Sequence, residues 1–317
     1  MSEKYNYMEE EQGGLMACES SPWGGEWTEE KLAAFEKYVN AYLTIMNSFR
    51  EKNNWKLIYF DGFAGSGSRN EAKKEANSDL LQELFRDYCL DEAELETYKG
   101  AAERVLSIPQ RGFDFYYFVD KDKESSLKLH ELLAPFENDK TLVYRNSDAN
   151  KQIEMLAKAM HNDYCLAALV LLDPFGMQVD WKSIEQLKGT RTDLWILIPT
   201  GVIVNRLLDR KCELTHIDKL TSFFGKDEAF LKNYFYKIRT VDTLFGETEI
   251  IEKVKKPIEK IAELYIEQLK TIFDYVTEKP LVLYNTRNTP IFHFACASNN
   301  QTAIKIASQI IKKKQGL

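Results

Sequence analysis

Five short apolar runs, separated by segments with helical periodicity, constrain the fold of this chain more than any other feature. Each run is apolar nearly throughout, which is typical of strands that are buried on both faces of a sheet. Strands that alternate with helices predict an α/β fold, in which a parallel sheet carries helices on both faces. The runs lie at residues 55–60, 113–119, 141–145, 165–172 and 193–198.

The last part of the chain has a different pattern. Residues 280–285 and 290–297 are apolar and flank the tetrapeptide TRNT, which predicts an antiparallel hairpin. Five parallel strands followed by a closing antiparallel pair is the strand inventory of class I S-adenosylmethionine (SAM) methyltransferases. We therefore predict a Rossmann-like class I methyltransferase fold, with a seven-stranded, mostly parallel sheet, an antiparallel closing hairpin, helices on both faces and helical insertions.

Composition divides the chain into a short arm and one domain. Residues 1–26 are polar and contain several glycines, and they predict a flexible N-terminal arm. Residues 27–317 are interpreted as a single methyltransferase-like domain. Two stretches within it are longer than a connection between strand and helix requires, and we interpret them as insertions. They lie at 69–99 and at about 203–276, and the second is expected to be mainly helical.

The overall composition excludes several classes of protein. The formal net charge is −7, so any contact with nucleic acid needs a local basic face. The five cysteines are scattered without the spacing of a metal or redox site, which predicts no bound metal and a reducing, cytoplasmic location. The N-terminus does not resemble a signal peptide. No apolar run approaches the roughly 20 residues of a membrane span, so no membrane association is expected.

The segment YFDGFAGSGSR, at residues 59–69, predicts a cofactor loop. A buried strand ends there in an acid and runs into glycines, which allow positive φ and let a ligand approach the backbone closely. Ligands of open parallel sheets bind at the carboxyl ends of the strands. The alternative is a tight turn without a ligand. The candidate binding residues are Asp61, Gly62, Phe63, Gly65 and Gly67.

Asp61 discriminates between cofactors. A carboxylate would repel the pyrophosphate of a dinucleotide, but it would attract the sulfonium and ammonium groups of SAM. A P-loop is excluded because no Gly-Lys-Ser/Thr sequence follows the glycines. The predicted cofactor is therefore S-adenosyl-L-methionine.

Acids also follow the next two strands. Asp120 ends the second strand and is positioned to accept hydrogen bonds from both ribose hydroxyls, with a helix N-cap as the alternative. For Asp122, two residues later, the cap is the better interpretation. Asp148 follows the third strand, where a bond from the adenine amino group and a helix cap are equally good interpretations.

The catalytic candidates lie in LLDPFGMQVDW, residues 171–181. Asp173 ends the fourth strand, and Pro174 removes a donor and fixes φ, so acceptors remain at the edge of the sheet. Such acceptors can hold an exocyclic amino group and offset the charge that develops on its nitrogen. Phe175 is positioned to stack on a flat base. The alternative is a turn that only ends the strand.

Together these segments resemble the three-Cys-motif partner protein family (TcmP). The resemblance covers most of the chain, and the glycine loop and the Asp-Pro-Phe-Gly turn are its specific motifs. It implies a methyltransferase-like fold and a phage-type partner protein that carries the three cysteines. The other matching segments are the aromatic N-terminal helix, GAA at 100–102, YYFVDKD, SDANKQI, FFG and PIFHFACASNN.

The Asp-Pro-Phe-Gly turn also looks like the catalytic turn of enzymes that methylate the exocyclic amine of guanine in transfer RNA. More loosely, it is similar to the Asp-Pro-Pro-Tyr turn of adenine-amino methyltransferases. Gly176 stands where the adenine enzymes have an aromatic residue, so a stacking role rests on Phe175 alone.

We therefore expect a SAM-dependent methyltransferase that acts on an exocyclic amino nitrogen of a nucleobase in DNA or RNA. The alternative is a non-catalytic partner subunit of a three-Cys-motif phage-type protein, in nucleic-acid modification or phage defence. A small-molecule or protein methyltransferase is a weaker third interpretation. Three basic stretches are candidates for contact with nucleic acid, and the alternative for each is solvated surface. They are Arg206 with Arg210 and Lys211, residues 253–256 and residues 312–314.

Overall fold

A computed structural model describes residues 21–22, 26–67, 90–91, 100–243, 246–285 and 287–316. Most of the predicted arm at 1–26 and most of the predicted insertion at 69–99 lie outside the described residues. Within them, Ser21–Pro22 pairs in parallel with Leu90–Asp91.

The remaining elements follow the predicted alternation of strands and helices from the first strand to the fifth. The strands are β1 (Lys56–Asp61), β2 (Phe115–Asp120), β3 (Leu142–Asn146), β4 (Leu166–Leu172), β5 (Thr192–Ile198), β6 (Tyr236–Thr243), β7 (Gly246–Lys253), β8 (Tyr275–Val276), β9 (Leu281–Tyr284) and β10 (Pro290–Ser298). The helices are α1 (Glu26–Asn53), α2 (Ala101–Leu106), α3 (Lys123–Leu133), α4 (Ala149–Asn162), α5 (Trp181–Glu185), α6 (Ile217–Phe224), α7 (Glu228–Phe235), α8 (Pro257–Leu269) and α9 (Gln301–Gln315). Shorter helical turns lie at Ala134–Phe136, Thr200–Val204 and Asn205–Leu207.

The central sheet is mostly parallel, with the order β3-β2-β1-β4-β5-β10. Strands β1 to β5 pair in parallel with their neighbours. The chain runs from β1 outward to β3, and it then returns to the other side of β1 with β4 and β5. The strand order therefore reverses between β1 and β4, which is where open α/β sheets bind their ligands.

The closing edge is antiparallel as predicted, but the sheet has eight strands and not seven. Strand β10 pairs antiparallel with β5 on one side and with both β8 and β9 on the other. Residues 277–280 separate β8 from β9, the two strands that pair with the outer side of β10. Thr277 accepts the backbone N–H of Cys296 through its side-chain oxygen, and Pro280 has no N–H to donate, so the regular ladder breaks into two strands.

Helices cover both faces of the sheet, as the apolar strands predict. Phe35 and Tyr38 of α1 contact Trp195 of β5 on one face, with ring centroids 6.2 and 5.1 Å away. Thr192 lies three residues earlier in β5, so its side chain is on the other face, where its hydroxyl contacts the sulfur of Met160 in α4. The core is therefore sandwiched between two helical layers.

The region 203–276 contains helices, as predicted, but it is not helical throughout. It contains the antiparallel hairpin β6–β7 between α7 and α8. Its strands were missed because they lack a continuous apolar run, and Ile238 is 70% exposed. This hairpin forms a separate two-stranded sheet, so its backbone pairing does not require burial by the central sheet.

None of the helices among the described residues is long and apolar enough to cross a membrane.

Candidate active site

The ends of β1 and β4 meet at the point where the strand order reverses. Asp61 pairs with Leu171 in the parallel ladder, and the N–H of Gly62 donates to the Leu171 carbonyl oxygen at 2.9 Å. Asp173 follows two residues later. The predicted cofactor residue and the predicted catalytic residue are thus brought to adjacent positions on one edge of the sheet.

The glycine loop has the backbone geometry that its sequence predicts. Gly65 and Gly67 have φ of +59° and +72°, in the left-handed region that favours glycine. Gly62 is required for a different reason, because a Cβ there would lie 2.6 Å from the side chain of Leu172. No heavy atom lies within 4 Å of the position of a Cβ at Gly65, so among the described residues there is open space beside this part of the loop. Phe63 is partly buried and packs against the core beneath it.

Asp61 lies under the loop and is only 2% exposed. Its carboxyl group accepts hydrogen bonds from the Tyr59 hydroxyl and from the N–H of Phe63, each at 3.2 Å. The pKa of Asp61 is raised to about 7, mainly by burial and further by the nearby charge of Asp173, although the two hydrogen bonds lower it. The sequence predicts a carboxylate facing the ligand. The structure instead has a buried carboxyl group that is divided between its two protonation states near neutral pH.

Asp120 fastens the loop to the next strand. One carboxylate oxygen accepts the N–H of Gly65 at 2.8 Å, and the other accepts the N–H of Asp122 at 2.7 Å. Asp122 in turn caps α3 through the N–H of Ser125, so the cap prediction is confirmed for Asp122 and the cap alternative is wrong for Asp120. Burial raises the pKa of Asp120, and the two N–H donors lower it. Its contact with a ribose stays a prediction.

Asp148 caps α4. A single carboxylate oxygen, Oδ1, accepts the N–H groups of Asn150 and Lys151 at 3.0 and 3.4 Å. The cap interpretation is therefore confirmed. An additional bond to an adenine amino group stays a prediction, because a carboxylate has about four acceptor positions and a cap uses only part of them.

Asp173 is held by a residue that the sequence did not single out. Both of its oxygens accept hydrogen bonds from the ammonium group of Lys31, at 2.7 and 2.5 Å. Lys31 is 5% exposed, whereas the side chain of Asp173 is 22% exposed. Next to this ion pair Pro174 is buried and Phe175 is partly buried. Trp181 is a core residue, with 2% exposure.

One sequence signal could have identified Lys31. It lies on the face of α1 that otherwise carries large apolar side chains, four residues after Trp27 and four before Phe35. A lysine in such a stripe must find a buried partner or extend to solvent. The helical pattern therefore predicts that Lys31 needs a buried partner. It does not identify that partner as Asp173, which lies 142 residues away in the sequence.

Two of the predicted basic stretches come together in the fold. Lys253 ends β7, and its ammonium group donates to the backbone and side-chain oxygens of Asn205 at 2.6 and 2.8 Å. Lys253 is therefore used inside the protein and is not available to a phosphate. The contact brings exposed Lys255 and Lys256 to the same region as exposed Arg210, beyond the carboxyl end of β5.

The described residues contain no group of His, Cys, Asp and Glu side chains that could hold a metal ion. A scan against protein-family models finds no match, and a search of curated proteins finds none. Among solved structures, this chain is similar to one described as a conserved hypothetical protein from Streptococcus pyogenes, at 13% identity and a TM-score of 0.27. That match covers 66% of this chain and 94% of the other.

Proposed function

We propose that this protein is a SAM-dependent methyltransferase that transfers a methyl group to an exocyclic amino nitrogen of a nucleobase in DNA or RNA. The observation that carries the proposal is the meeting of Asp61 and Asp173 where the strand order reverses. Five parallel strands and a closing antiparallel pair, which class I methyltransferases share, support it further.

The residues present fit a cationic sulfonium nucleoside. Among the described residues, open space lies beside Gly65, and Asp61 accepts the N–H of Phe63 in the same loop. Asp120 ends β2 and Asp148 follows β3, on the same edge of the sheet. When bound, SAM supplies an electrophilic methyl group. Ionised Asp61 would attract the positive charge of this nucleoside, and its burial would strengthen the attraction.

Asp173 would act on the methyl acceptor. Its two oxygens already hold one nitrogen, that of Lys31, with hydrogen-bond geometry. An exocyclic amino group that displaced Lys31 from this position would have its N–H bonds directed at the carboxylate, and the positive charge that develops on nitrogen would be stabilised. The exposed cations Arg210, Lys255 and Lys256 flank the contact between Lys253 and Asn205 in sequence, and they are the candidate basic face for a phosphate backbone despite the acidic net charge.

The same ion pair favours a second candidate function. Because Lys31 of α1 occupies both oxygens of Asp173, the contact also fits a non-catalytic subunit in which α1 closes the acceptor position. The resemblance to the three-Cys-motif partner family would then supply its partner, a phage-type protein. A stable complex with such a protein, without methyl transfer to any nucleic acid, would favour this function.

Calorimetric titration with SAM tests the primary proposal. We expect Asp61→Asn to weaken binding, and Asp173→Asn to bind normally but to abolish transfer of labelled methyl groups to DNA or RNA. Asparagine is preferred to alanine at position 173 because its amide oxygen can still accept one hydrogen bond from Lys31. Because either change removes the negative partner of a buried ion pair, at a cost of about 3–5 kcal/mol, circular dichroism first verifies that Asp173→Asn is folded. Absence of binding by the folded wild type, or equal binding by Asp61→Asn, would contradict the proposed cofactor site.

A salt titration tests the substrate class. If the basic face binds phosphates, affinity for a DNA or RNA oligonucleotide falls steeply with salt concentration. Substitution of Lys255 and Lys256 by glutamine should reduce both the affinity and the salt dependence. A flat salt response would argue for a small-molecule or protein substrate instead.

A further inference from the structure

Lys31 provides an amine at the position where the proposed reaction needs one. Its Nζ atom lies 2.7 and 2.5 Å from the two oxygens of Asp173, and 5.4 Å from the centre of the Trp27 ring. The two carboxylate oxygens and the face of the Trp27 ring thus lie around the ammonium group. With only 5% exposure, the side chain has one preferred location and not a range of surface conformations.

The same nitrogen is held just after the end of β4, the strand that neighbours β1 and its glycine loop. Asp173 is close enough to Asp61 for its charge to act on that carboxyl group, and the loop begins directly beside β4 through the bond from Gly62 to Leu171. Lys31 therefore meets both requirements of a methyl acceptor, which are an amine held by Asp173 and closeness to the carboxyl ends of β1 and β4.

We propose that Lys31 is a self-methylation site, so that the protein transfers a methyl group to its own Nζ atom. This inference rests on the proposed function, since it needs a methyl sulfonium donor. The alternative is a buried ion pair that only attaches α1 to the sheet. The two roles differ in whether Lys31 gains a methyl group when the donor is present.

The proposed methyl transfer to Lys31 has three steps. The ammonium group of Lys31 first gives one proton to the Asp173 carboxylate, which leaves a lone pair on nitrogen. That pair forms a bond to the methyl carbon while the carbon–sulfur bond breaks, and the electrons of the broken bond stay on sulfur as a neutral thioether. Asp173 then releases its proton to solvent, and nitrogen carries the positive charge again.

The ion pair limits the extent of methylation. A monomethylated Lys31 keeps its charge and two N–H groups, so each oxygen of Asp173 retains a donor. A trimethylated side chain has no N–H and would leave a partly buried carboxylate without its hydrogen bonds. We therefore expect a mono- or dimethylated product.

Mass spectrometry of the full-length protein tests the proposal. The folded chain is incubated with SAM that carries a deuterated methyl group, which separates new methylation from any acquired during expression. Peptide mapping should show the label at Lys31, and Lys37, an exposed lysine on the same helix, should remain unlabelled. Asp173→Asn should lose the label, and Lys31→Arg should lose it from this peptide.

Ligand affinity gives a second readout that does not depend on turnover. Lys31→Met removes a positive charge from the neighbourhood of the methyl group, so it should favour cationic SAM over S-adenosylhomocysteine, whose sulfur is neutral. We expect the ratio of the two affinities to rise about tenfold. Lys37→Met is the matched control, and its ratio should equal that of the wild type.

The outcomes separate this inference from the proposed function. If SAM binds but Lys31 stays unlabelled, self-methylation is wrong and the proposed cofactor site stands. Label spread equally over Lys31, Lys37 and other lysines indicates nonspecific alkylation and also overturns the inference. An unchanged affinity ratio in Lys31→Met shows that the lysine does not face the methyl group. If SAM does not bind at all, the proposed function and this inference fail together.

Discussion

Replacing Asp61 with asparagine tests the electrostatics of the site without any ligand. In the folded protein, burial raises the pKa of this carboxyl group from its ordinary 3.8 to about 7. Between these values the folded state retains a proton that the unfolded chain has lost. The contribution of Asp61 to stability is therefore fully present below about pH 4 and is lost as the pH rises through about 7.

The magnitude follows from the size of the shift. A change of about 3 pKa units corresponds to about 4 kcal/mol, at roughly 1.4 kcal/mol per unit. Asparagine has the same shape as protonated aspartic acid and does not ionise. We therefore expect the free energy of unfolding of Asp61→Asn, relative to that of the wild type, to increase by about 4 kcal/mol between about pH 4 and pH 8.

Urea unfolding followed by tryptophan fluorescence, at a series of pH values, measures this difference. Subtracting the wild type removes the contributions of the titrating groups that both proteins share. Tyr59→Phe is an informative second variant, because the Tyr59 hydroxyl donates to Asp61 and lowers its pKa. Its loss should extend the decline in stability to higher pH. A difference between Asp61→Asn and wild type that does not change with pH would refute the reasoning.

Three further predictions concern the core. Tyr38→Phe removes a hydroxyl that donates to partly buried Asp193 at 2.7 Å, and urea unfolding should show a loss of about 1–3 kcal/mol, which an unchanged midpoint would contradict. Gly225→Ala should lower the thermal unfolding midpoint by an amount equivalent to about 1–3 kcal/mol, because φ is +62° and a Cβ would lie 2.1 Å from Trp181. An unfolding midpoint equal to that of the wild type would contradict this prediction. Burial lowers the pKa of His293 from 6.5 to about 4, so the stability that this residue contributes above about pH 6.5 is lost as pH falls toward 4. The size of this acid loss is about 3 kcal/mol, and His293→Gln should remove it from the pH profile of unfolding; an unchanged acid limb would contradict the assignment.

The sequence alone determined the features that depend on neighbouring residues. The apolar runs predicted the parallel strands, and the glycine spacing predicted the left-handed turns at Gly65 and Gly67. The position of Asp61 and Asp173 at strand ends was also readable, because the carboxyl ends of parallel strands share one edge of a sheet. Each of these inferences rests on periodicity or turn chemistry within about ten residues.

Only the tertiary structure decided the environment of those residues. Asp61 is buried under its own loop, and Asp173 is paired with Lys31, 142 residues away. The hairpin at 236–253, and the division of the outermost pairing partners of β10 into β8 and β9, were likewise not predictable from apolar runs. The physical reason is that burial and ion pairing depend on how α1 and the loops lie over the sheet. Contacts between distant segments leave no periodic pattern along the chain, whereas the strands and turns that carry the candidate site do.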